Sequence, residues 1–134
     1  MTKINTIYLV DDDDIFQYLT RKVIEETKKV QQICEFQNGE AAIESIKSAI
    51  KERGDLPELI LLDLSMPIMD GWDFLDELKR LKPQINSEII IYIVSSTISP
   101  KDIQKVNGYA EVKDYVIKPI TRQKFNDLLN SLLV

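Results

Sequence analysis

Histidine is missing from this chain of 134 residues. Its absence removes His-ligated zinc, Ser-His-Asp and Cys-His catalysis, and any imidazole proton switch. Cysteine occurs once, as Cys34, which excludes an internal disulfide and a cysteine-built metal site. The four glycines are dispersed, so no glycine-rich loop is available to cradle a phosphate with backbone N–H groups. No apolar run approaches the ~18 residues of a membrane span, and the apolar stretch within MTKINTIYLV is too short for a signal-peptide core. No membrane insertion is expected, and the cytoplasm is the expected location. A surplus of positive charge is also missing: 17 Lys+Arg stand against 22 Asp+Glu, for a formal charge of -5. That balance disfavours nucleic acid or anionic lipid as a direct partner.

What remains is the make-up of a soluble globular domain, with 44% hydrophobic and 29% charged residues. The length suits one domain over residues 1–134, which buries roughly two-thirds of its unfolded surface and needs no staples. Ile7–Val10 reads as a buried strand, stopped by Asp11–Asp14. The period then changes: Phe16, Leu19, Val23 and Thr27 lie at helical spacing, with Gln17, Arg21, Lys22, Glu25 and Glu26 assigned to the solvent face. Gln32–Phe36 is the second strand. A helix capped by Asn38 follows, carries Ala42, Ile43, Ile46 and Ile50, and is expected to stop at Gly54. Leu59–Leu64 is an unalternating apolar run suited to the centre of a parallel sheet. Phe74, Leu75, Leu78 and Leu81 mark the third helix, Glu88–Val94 the fourth strand, and Pro100 the start of a short helix. Asp114–Ile117 is the last strand. Phe125, Leu128, Leu129, Leu132 and Leu133 stripe the last helix. Strand–helix alternation repeated five times predicts an α/β fold: a three-layer α/β/α sandwich around a five-stranded parallel sheet.

Ligands of open parallel sheets bind beyond the carboxyl ends of the strands. Here those ends carry Asp11–Asp14, Asp63, Ser95-Ser96-Thr97 and Lys118-Pro119. Each has an ordinary explanation taken alone: a solvated acidic loop, helix caps at Asp13 and Asp14, a strand terminus at Ser95, a surface lysine. Asp63 lacks one, because an aspartate within LILLDL is a charge in an apolar run. Taken together, clustered carboxylates call for a cation, and oxygen-only ligands with open positions suit magnesium. A lysine and hydroxyls beside it form a shell for a phosphoryl group, which an aspartate can attack.

The segments VDDD (10–13), LLDLSMPIMDGW (61–72), VSST (94–97) and YVIKP (115–119) together resemble the receiver domain of two-component response regulators, in its stand-alone, chemotaxis-regulator-like form. The likeness runs from about Ile4 to Val134. It implies a flavodoxin-like receiver fold with strand order 2-1-3-4-5. It implies that Asp63 is the phosphoacceptor and that Asp11, Asp12, Asp63 and the backbone carbonyl of Ser65 hold Mg2+, Asp12 more directly than Asp11. Ser95 and Lys118 then bind the phosphoryl group, Tyr115 is the aromatic switch, and the Lys118–Pro119 bond is cis. Ser65 and Thr97 flank the line of attack of water. The implied function is that of a signalling protein, not an enzyme. It takes phosphate from a histidine kinase or histidine phosphotransfer protein, then signals to a protein partner, or to a second copy of itself, through the face of helix 4, strand 5 and helix 5. One stretch departs from the family: Ser45–Pro57 is long.

Three other readings compete. An FMN binder shares the sheet order but needs a phosphate loop where four aspartates stand. A haloacid-dehalogenase-type phosphatase would use Asp11 and Asp13 as its D-x-D pair, but leaves Asp63 unexplained and lacks an acidic pair after Lys118. A degenerate, docking-only receiver would have lost some of the polar positions, and all are present.

Overall fold

In the computed structural model, which describes residues 3–133, the apolar runs lie side by side because each is joined to the next by a helix. The strands are β1 (Ile4–Val10), β2 (Val30–Phe36), β3 (Leu59–Leu62), β4 (Ile90–Ser95) and β5 (Val112–Ile117). The helices are α1 (Asp14–Thr27), α2 (Gly39–Glu52), α3 (Gly71–Leu81), α4 (Pro100–Val106) and α5 (Arg122–Leu133), with a single 3-10 turn at Lys82–Gln84. All pairings are parallel, in the order β2-β1-β3-β4-β5. Met1, Thr2 and Val134, and the Leu133 side chain of the expected α5 stripe, lie outside the described residues.

The register decides where the chain leaves the sheet. Val10 pairs with Leu62 and Leu62 with Ile93, while Ser95 pairs with Ile117. The residues that follow therefore emerge along one edge. Alternation along each strand splits the core in two. Tyr8, Val10, Ile60 and Leu62 pack with Ile43, Phe74 and Leu78 on one face, and Ile7, Leu9, Leu59 and Leu61 with Ile24, Phe125 and Leu129 on the other.

Beside shifts of one or two residues at the starts of β2, β4 and β5 and at the end of β4, four details stand out. First, β3 ends at Leu62, not Leu64, because α3 starts against the chain there: a Cβ on Gly71 would fall 2.6 Å from the Asp63 carbonyl oxygen. Asp63 thus sits just past the strand, its N–H still bonded to Val10 O at 2.9 Å. Second, α1 is rotated. Gln17, Thr20 and Ile24 face the sheet while Leu19 is 54% exposed, because the strand-end carbonyls beneath the helix need a donor that Gln17 carries. Third, α2 ends as expected, but Arg53 rather than Gly54 takes the left-handed turn, with φ 55°. The N–H groups of both residues converge on Ala49 O, so the turn closes one residue early. Fourth, α4 buries none of its residues. It is tied to α3 by the Lys105 ammonium 4.5 Å from the Trp72 ring, while just beyond its end Tyr109 lies 6.0 Å from that indole and donates its hydroxyl to Asp76 at 2.7 Å.

Ile68 holds φ 69°, although it is β-branched and 76% exposed. The left-handed region costs such a residue roughly 1–2 kcal/mol, and glycine there loses part of that gain to unfolded-chain entropy. Ile68→Gly is expected to raise stability by about 0.5–1 kcal/mol, read as a higher urea midpoint; an equal or lower midpoint contradicts the strain.

Candidate functional site

β1 delivers Asp11, 2% exposed, into the edge where the strands end. Its Oδ1 accepts the Asp13 N–H at 2.9 Å. Asp13 in turn caps α1, accepting from the N–H groups of Ile15 and Phe16. Asp14 accepts from the Gln37 amide at 2.6 Å. Of the four consecutive acids, then, the last two serve local structure, and Asp11 and Asp12 are left for chemistry. β3 delivers Asp63, 7% exposed, whose Oδ1 has a long 3.4 Å contact with the Ser65 N–H. β5 delivers Lys118, held by its own N–H on Ser95 O at 2.9 Å and followed by a cis bond to Pro119.

These side chains converge. Asp11, Asp12 and Asp63 each offer a carboxylate oxygen within 4.8 Å of the others. The Lys118 ammonium stands 2.7 Å from Asp11 Oδ2 and 3.8 Å from Asp63 Oδ2, with the Phe16 ring centre 4.4 Å away on another side. Ser95 lies at the same edge, but its hydroxyl donates to Thr97 O at 2.8 Å, closing the loop towards α4. Ser65 is exposed. Tyr115 is 38% exposed on β5, the strand at the sheet's edge.

Burial pushes the Asp63 carboxyl up to about 6, the neighbouring Asp11 charge adds to that, and Lys118 opposes it. Asp11 is also raised, first by burial, with Lys118 pulling the other way. One ammonium therefore falls short of neutralising three acids. The donor set fits a hard divalent cation: its side-chain ligands are all carboxylate oxygens, and among the described residues buried Asp11 Oδ2 has no partner but the ammonium. One side chain was assigned otherwise in the sequence, Gln17 to the surface; Phe16, expected on the apolar face, packs against the core and also lies beside Lys118. The signal for Gln17 was its place at i, i+3, i+7 with Thr20 and Ile24.

The family model of the response regulator receiver domain matches residues 7–130. The chain belongs to the response regulator receiver family. This receiver domain is 26% identical over 127 residues to the chemotaxis protein CheY of Halobacterium salinarum, covering 95% of each chain. It is 29% identical over 98 residues to a protein-glutamate methylesterase/protein-glutamine glutaminase of Rhodospirillum rubrum, covering 73% of this chain but 22% of that one. The chain thus spans about a quarter or less of that multi-domain relative. Among solved structures, a two-component response regulator from Cytophaga hutchinsonii superposes with TM-score 0.86 at 34% identity, covering 98% of each chain. The flavodoxin-like receiver fold and the family's signalling role are thereby established, and the phosphatase reading falls. Its second aspartate, Asp13, is spent on the helix cap. Among the described residues, no helix is long and apolar enough to cross a membrane.

The sign of the pH dependence follows from Asp63. In the metal-free protein its carboxyl titrates near 6 when folded and in the usual carboxylate range when unfolded. The folded state therefore binds the extra proton in between, and stability falls as pH rises through about 4 to 6. Asp63→Asn is expected to be more stable than the parent by on the order of 1–3 kcal/mol at pH 7.5, with the difference gone near pH 4. Urea unfolding in a chelator at both pH values checks this; equal stability at pH 7.5 counts against the repulsion.

Proposed function

We propose that Asp63 accepts a phosphoryl group from the phosphohistidine of a histidine kinase or histidine phosphotransfer protein, and that the product is a conformational signal. The observation that carries this reading is the Lys118 ammonium between two buried carboxylates, beside a third, at the strand ends. An Asp63 oxygen forms the new O–P bond. The P–N bond to the donor imidazole breaks, and its electron pair returns to that nitrogen, which takes up a proton. Asp11, Asp12, Asp63 and the Ser65 carbonyl would hold Mg2+, Asp12 more directly than Asp11. When bound, the ion supplies positive charge against the carboxylates and the phosphoryl oxygens. Lys118 trades part of its hold on Asp11 for a phosphoryl oxygen. Ser95 releases Thr97 O and donates to another. Ser65 and Thr97 border the approach of water and set the lifetime of the acyl phosphate.

The movement of Ser95 frees space by β4 that Tyr115 fills from outside. The face of α4, β5 and α5 then changes shape. Three large apolar side chains exposed there, Ile103, Tyr115 and Ile117, support its use by a downstream protein or a second copy of the chain. The domain comprises residues 1–134, works in the cytoplasm, and acts as a phosphoacceptor that assists its own phosphorylation and dephosphorylation, with no nucleic acid contact of its own.

Incubation with acetyl phosphate or phosphoramidate and Mg2+ is expected to add one phosphate by intact mass. Asp63→Asn is expected to add none, and Lys118→Ala to slow the reaction at least about tenfold. A stoichiometric adduct on Asp63→Asn, or an unchanged rate in Lys118→Ala, overturns these roles.

A further inference from the structure

Gln17 is 5% exposed, although the charge pattern of its helix assigns it to solvent. Its side-chain nitrogen donates to Leu9 O and Asp11 O, both at 3.0 Å, and to Phe36 O at 3.1 Å. Three carbonyls around one –NH2 group decide which end of the amide points to the sheet. The same residue's main-chain N–H donates to Asp13 O at 3.0 Å. A single residue therefore closes the loop Asp11–Asp13 at both ends and ties it to the end of β2.

That loop is the one under electrostatic load. It carries the Asp11 and Asp12 carboxylates, which stand within 4.8 Å of Asp63. Their repulsion drives the loop away from β3, and the side-chain bonds of Gln17 oppose it through the backbone, where they do not compete for the cation. The amide is also costly where it lies: its Oε1 is buried with no hydrogen-bond partner among the described residues. An apolar side chain would fill the same space without that deficit. The donor half of the amide is what the position uses.

We propose that Gln17 is a positioning residue for the cation site: by holding the Asp11–Asp13 backbone it keeps the Asp11 and Asp12 carboxylates at the spacing a divalent ion requires. This rests on the reading of the site as a magnesium-dependent phosphoacceptor. Outer-shell partners of metal ligands typically tune metal affinity about tenfold or more.

The test measures the Mg2+ dissociation constant of the folded protein by calorimetric titration, and the rate of phosphorylation by phosphoramidate against Mg2+ concentration. Gln17→Met keeps the length and removes the donor. Ile24→Val loosens the same helix at a fully buried position without touching the loop. Gln17→Met is expected to weaken Mg2+ binding about tenfold and raise the half-saturating Mg2+ concentration equally, with the plateau rate within about twofold. Ile24→Val is expected to lose stability with its Mg2+ affinity unchanged. Should Gln17→Met fail to fold, Gln17→Asn, one methylene too short to reach all three carbonyls, gives the same reading. An affinity within about twofold of the parent in the Gln17 variant, or an equal loss in Ile24→Val, overturns the proposal. A parent protein that binds no Mg2+ or takes no phosphate on Asp63 overturns the site reading, and the proposal with it.

Discussion

One ammonium between two buried carboxylates sets the terms for the rest of this molecule. At about 4 Å, like charges repel by roughly 4 kcal/mol in a surface-like dielectric and by about 1 kcal/mol in bulk water. The apolar sheet beneath Asp11 and Asp63 keeps them nearer the first regime, and Lys118, 2.7 Å from one and 3.8 Å from the other, offsets only part of it. Everything close by is arranged around that imbalance. Parallel strands bring the three groups to a common edge. The cap on Asp13 takes one acid out of the cluster, and the α3 start at Gly71 presses on the backbone of Asp63. The site is held in a state that added positive charge relieves.

Much of this was legible in the sequence because it depends on period and position along the chain. Asp63 stood out as a charge at the end of an apolar run, and Asp11 and Lys118 followed from asking what each strand ends in. Strand order was carried by the motif resemblance. What escaped were features decided by tertiary contacts. The face of α1 was misassigned because Gln17 and Leu19 exchange the places their polarity suggests: the glutamine meets strand-end carbonyls and the leucine meets solvent. The end of β3 was placed two residues late because LILLDL does not reveal that a helix start lies against its backbone. Arg53 took the left-handed position beside an available glycine, a choice no local propensity indicates.

The two ends of the proposed signalling path differ in how firmly they are built. The carboxylate end rests on β1 and β3, which are buried but for Asn5, and on the α1 and α3 helix starts. The other end, α4, buries no residue, and its start is reached through the loop that Ser95 closes on Thr97. Elements held by few buried apolar contacts open at the lowest cost. In that proposal, a small change at Ser95 would reach the part of the fold least able to resist it.

Trp72 lies at the junction of those two regions, and it is the chain's one tryptophan. An ammonium from α4 rests over its ring and Tyr109 lies beside it, so the electric field on the indole depends on where α4 sits. Indole emission responds to such a field. The protein consequently carries an intrinsic optical gauge of helix position, in which a shift or change in brightness of a single fluorophore tracks the separation of α3 from α4 with no label attached.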